Sequence, residues 1–147
     1  MQTAESTVKP SNFIIEENGN DKSIVSFFDN IVVNEESNED GEYTSTNYTY
    51  DVYTIELRSR DNLEEEIEAN YDQWLEFVKN KDYEETAAEV RAKRDKLLTD
   101  TDWTQCADTA LSDEEVEEYR TYRQELRDIT AQEGFPYDVD FPTLYIT

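Results

Sequence analysis

At Asp61 the hydrophobic period of this chain changes, and that change limits its possible folds more than any other feature. Upstream, residues 23–33 (SIVSFFDNIVV) and 48–57 (YTYDVYTIEL) are dense in β-branched and aromatic side chains, the composition of strands. The polar run 34–41 (NEESNEDG), with Gly41 near its end, predicts a turn between them, hence an antiparallel hairpin with a long acidic loop. Tyr53, Ile55 and Leu57 alternate onto one face and Tyr48, Tyr50 and Val52 onto the other. Both faces therefore carry apolar area, one for helices and one for a further strand such as 13–15. Residues 1–12 are polar and are expected to be a mobile tail.

Downstream of Asp61, Leu63, Ile67, Tyr71, Trp74 and Val78 recur every three to four residues, which predicts a helix over 62–79 with Asp61 as its N-cap. Ala87, Val90, Arg94 and Leu97 predict a second helix over 83–98. Ser112 followed by Glu115 is a capping-box signature for a third over 112–132, with Val116, Tyr119, Arg123, Leu126 and Thr130 on one side. Gly134 and Pro136 end it, and 135–146 should be extended, with Phe135, Val139, Phe141 and Leu144 as apolar pegs. The fold class is α+β: an N-terminal antiparallel β element, a helical hairpin within a three-helix region, and an extended C-terminal tail. Two regions are expected, 1–60 with the acidic tail and β-hairpin, and 61–147 with the helices.

The charge balance removes whole classes of function. With 37 acids against 13 bases, the formal net charge is -24, which repels nucleic-acid phosphates and anionic membranes. The apolar fraction is only 36%, but ten Tyr, six Phe and two Trp supply enough ring area for a modest core. Histidine is absent and Cys106 is the one cysteine, so a Cys/His zinc site, a Cys-His pair and a Ser-His-Asp triad are excluded within one chain. Asp100-x-Asp102-x-Thr104 begins like a calcium loop, but Gln105 stands where glycine is needed and Leu111 where glutamate is needed. Three glycines, at 19, 41 and 134, cannot form a phosphate cradle. No stretch reaches the ~20 apolar residues of a membrane span, and polar residues follow Met1, so no secretory signal is expected. The reading is of a protein with no cofactor, no metal and no catalytic site.

Seven of the 13 bases sit in 91–96 and 120–127, on either side of a tryptophan loop. Arg94 and Arg123 fall on otherwise apolar helix faces, where an unpaired charge is costly, so both are expected to be largely buried and each paired with a carboxylate. Arg91, Arg94, Arg123 and Arg127, with Asp95, Asp102, Asp108 and Asp128, are read as a structural ion-pair network pinning the helices and loop. Trp103 is either a plug across the helix pair or an exposed partner anchor.

The segments R-A-K-R-D-K-L-L-T-D-T-D-W (91–103) and Y-R-Q-E-L-R-D-I (122–129), with the proline-containing ending, resemble the tail assembly chaperone-like proteins of tailed bacteriophages and prophages. The resemblance covers residues 61 to 142 and implies a non-enzymatic protein that assists tail or tail-fibre assembly by binding a partner subunit. It also makes the arginines part of a recurring framework. The implied partner is a phage tail or tail-fibre protein, bound through candidates Trp103, Phe135, Val139, Phe141 and Leu144. The implied location is the cytoplasm of the bacterial host. Two other roles remain: a structural tail or fibre-attachment subunit, which would place it in the virion, and an acidic inhibitor that mimics DNA.

Overall fold

In a computed structural model describing residues 1–37 and 43–144, the α+β expectation holds: four antiparallel strands precede three helices. Contacts gather the chain into two compact units, Met1–Asp82 and Tyr83–Thr147. The first contains β1 (Gln2–Ser6), β2 (Phe13–Glu17), β3 (Lys22–Ser37) and β4 (Tyr43–Arg58), ordered β1-β4-β3-β2. The two long apolar runs pair as β3 and β4, with Phe27 opposite Tyr53 and Val25 opposite Ile55. Asn34 to Ser37 continue β3 instead of turning; Gly41 lies outside the described residues. The strands lengthen because Asn34, Glu35 and Glu36 find partners in Asn47, Thr46 and Ser45, so ladder pairing overrides a polar composition.

The expectation of a mobile N-terminus is corrected. Gln2 to Ser6 form β1 and pair with β4 from Val52 to Tyr48. Main-chain hydrogen bonding places this edge strand, and its polar side chains carry little trace of it. Residues 13–15 do form a strand, as part of β2, but it pairs with the edge of β3 in the same sheet instead of covering the hairpin's second face, and it turns into β3 through Gly19, Asn20 and Asp21, all at positive φ. Glycine, asparagine and aspartate tolerate that backbone.

On one sheet face, Val25, Phe27, Tyr53 and Ile55 are buried against Leu63 and Ile67 of α1 (Leu63–Ala69) and Val78 of α2 (Tyr71–Asp100). Phe13, Ile15, Leu57, Tyr71, Trp74 and Leu75 close around them. The single helix expected over 62–79 is broken at Asn70. Its amide donates to the Glu66 carbonyl at 3.1 Å, while its own carbonyl accepts from Gln73 and Trp74, both 3.1 Å. Asparagine thus ends one helix and begins the next. Asn62, without a side-chain cap bond, takes the N-cap position expected of Asp61. Conversely, no break separates 79 from 83: Lys79-Asn80-Lys81-Asp82 holds neither glycine nor proline, and α2 runs 30 residues.

In the second unit, α3 (Asp113–Asp128) starts at the Ser112/Glu115 capping box as expected, but gives way at Ile129 to a 3₁₀ turn, Ile129–Ala131. Tyr119, Tyr122, Leu126 and Ile129 form its buried side. The chain beyond is not extended at first. Residues 133–137 turn, with the Asp138 amide donating to the Gly134 carbonyl at 2.8 Å. A Cβ at Gly134 would lie 2.1 Å from the Asp138 carbonyl oxygen, so only glycine fits. The Gln132 amide then clamps Asp140, donating to its carbonyl and accepting from its amide, both at 2.8 Å. Tyr145, Ile146 and Thr147 lie outside the described residues.

Candidate partner-binding surface

Two of the arginines that break apolar faces acquire different surroundings. Arg123 is 7% exposed. Its guanidinium donates to the Leu98 carbonyl at 2.5 Å, the Thr101 hydroxyl at 2.8 Å and the Asp102 carboxylate at 2.6 Å. One planar fork thus holds the end of α2, where the Leu98 carbonyl also accepts from the Thr101 amide at 3.2 Å. Arg123 Nε is buried without a partner among the described residues, and the other two nitrogens position the side chain. Arg94, expected to be buried, is half-buried and binds its neighbour Asp95 at 2.7 Å. Its helix face is less covered than that of α3, so its fork reaches out to an exposed carboxylate.

The remaining charged candidates are held separately. Asp128 accepts from the Gln124 amide at 3.1 Å. Arg91 lies over the Phe135 ring, 5.4 Å from its centroid. Arg127 and Asp108 are exposed. Sequence spacing reveals which charges are near one another along the chain, but not that a backbone carbonyl, Leu98, is an acceptor for Arg123.

Around this anchor the tryptophan loop is tied to the end of the helix. Thr101 donates its hydroxyl to Leu97 at 2.8 Å, and Thr104, fully buried, donates to the Thr101 carbonyl at 2.7 Å. Residues Asp102–Gln105 form a 3₁₀ turn that raises Trp103 to the surface. Its ring meets Tyr119 edge-on at 5.9 Å, yet Trp103 remains 53% exposed. It is neither a fully buried plug nor a free side chain: one edge is braced and the rest faces solvent.

The tail pegs are half-buried within the same unit. Phe135 packs edge-on to Tyr83 at 6.3 Å, and the Lys93 ammonium lies 3.8 Å from the centroid of Phe141. Leu144 lies beside α3 with Tyr122 and Glu118, while Val139 is half-covered. Burial pushes the Tyr122 phenol above its ordinary value, with nearby Asp100 adding to the effect.

The chain was compared with known proteins. Residues 87–144 match the phage tail assembly chaperone protein family. No curated protein and no solved structure matches the chain. The matched segment includes Arg123, Trp103 and the four tail pegs, while the sheet lies outside it. Over residues 87–144, under half of its length, the chain is thus similar to that family.

Proposed function

We propose that this protein binds a phage tail protein reversibly during virion assembly, without catalytic turnover, and that Trp103 is its principal anchor. The observation that carries the reading is the exposure of Trp103 on a braced base, inside the segment that matches the family. A large rigid ring loses little conformational freedom when it is covered, which is why tryptophan is enriched among binding hot spots. Phe135, Val139, Phe141 and Leu144 extend the proposed surface. Their buried sides hold the tail on its own unit, and their exposed sides face the partner. The acid excess keeps the complex soluble while apolar area on the immature partner is covered.

The test is co-expression with the tail proteins encoded beside this chain, followed by affinity capture and titration of the captured partner. Trp103→Ser should fold and bind about tenfold or more weakly, consistent with loss of a hot-spot side chain. Undiminished binding by that variant would remove Trp103 from the interface. Capture of no tail protein by the unaltered chain would overturn the function.

A further inference from the structure

In the first unit, which the family match does not cover, a groove of about 540 Å³ opens between β4 and α2. Ile55, Leu57, Trp74 and Phe77 line it, with Glu66 and Gln73 at its polar rim. Its apolar area is not fully used by the protein's own core. Trp74 is half-buried against the core cluster, and Phe77, edge-on to Trp74 at 6.2 Å, is 54% exposed. Large apolar side chains left together at a surface mark interaction sites.

The backbone beside the groove is also open. β1 pairs with β4 only from Val52 to Tyr48, so no described strand lies along the outer side of β4 from Tyr53 to Arg58. That edge offers main-chain donors and acceptors to an incoming strand. In an extended segment, alternate side chains would point into the groove while the backbone extended the sheet.

Charge identifies the occupant. Through Asp82 the sequence holds 20 acids and six bases, a net -14. Four of those bases are already engaged: Lys22 with Glu56, Arg58 with Asp21, Arg60 with Glu66 and Lys79 with Asp29. A second copy would bring two strongly acidic units together, which their repulsion opposes. A segment with lysine or arginine beside its apolar residues is attracted by the same field.

We propose that this groove is a second docking site, which takes an extended segment of the tail protein bearing an aromatic or branched apolar residue flanked by lysine or arginine. The proposal rests on the reading that a tail protein is bound, but uses residues outside the matched segment. The test places a photo-crosslinking benzoylphenylalanine at position 77 of the full chain, co-expressed with the tail proteins encoded beside it. Controls carry it at position 103 and at position 14, which is exposed on the other face of the sheet. Position 77 should crosslink to a tail-protein segment with a lysine or arginine within about two residues of the attachment point, as alternation in a strand requires. Gln73→Lys should weaken capture about tenfold or more at low salt, whereas Gln73→Glu should preserve it, because only the former repels a basic segment. Crosslinking to a second copy, or capture of a tail protein with crosslinks from position 103 but none from 77, would overturn the groove while leaving the function standing. Failure to capture any tail protein would overturn both.

Discussion

Arg123 joins three acceptors that a shorter or non-planar cation could not reach together. Leu98 supplies a carbonyl, Thr101 a hydroxyl and Asp102 a carboxylate. Asp102 is 64% exposed, so its share is screened by solvent, and most of the stabilisation comes from the less exposed acceptors. Arg123→Ala should cost about 1.5–3 kcal/mol, the range for hydrogen bonds to a charged group. Arg123→Lys should recover little, because an ammonium lacks the fork. Urea denaturation of both variants checks this, and an unchanged midpoint for Arg123→Ala would contradict it. At this scale the sequence was partly legible. A lone arginine among Val116, Tyr119 and Leu126 signals a paired cation. The half-buried state of Arg94 was not legible, since it depends on what covers α2 from elsewhere in the chain.

Elements carried by side-chain rules were legible, and those carried by backbone pairing were not. Ser112 and Glu115 announce the start of α3, and both hydrogen bonds of the box form. Ser112→Ala should lower stability by about 1 kcal/mol, the usual effect of an N-cap serine, read as a fall in the thermal midpoint. β1 escaped notice because an edge strand needs no apolar period, and the break at Asn70 because asparagine in a helical run announces no specific geometry. Strand–helix packing also creates a pair invisible in sequence, Lys79 and Asp29, 2.6 Å apart. The Lys79 hydrogen bond holds the Asp29 carboxyl below its usual 3.8, and the Asp29 hydrogen bond raises Lys79 above 10.5. A depressed carboxylate stabilises the fold above its unfolded value and loses that contribution as pH falls through its folded value; a raised ammonium does so as pH rises through its folded value. The pair therefore stabilises the fold between about pH 3.8 and 10.5. Lys79→Met should be less stable than the unaltered chain at pH 7, with the gap closing below pH ~3.8. Thermal unfolding from pH 2 to 7 decides it, and a gap of constant size would contradict it.

Across the whole molecule, the two docking surfaces proposed above differ in chemistry: a braced tryptophan in the matched segment, and an apolar groove beside a strand edge that no described strand covers in the acidic sheet unit. The change of period at Asp61 disclosed the α+β order, and contacts divide the chain into compact units after Asp82, within α2. That boundary depends on long-range contacts, chiefly Trp74 and Val78 against the sheet, which no local pattern encodes. We propose that the protein holds a tail component during assembly and then leaves it. The most direct measurement is quantitative mass spectrometry of this chain in isolated tail-assembly intermediates and in finished particles from the same infection. The chain should be bound to a tail protein in the intermediates and absent from finished particles. Recovery in finished particles at a fixed copy number would contradict it and identify a structural subunit, and absence from both would contradict binding altogether.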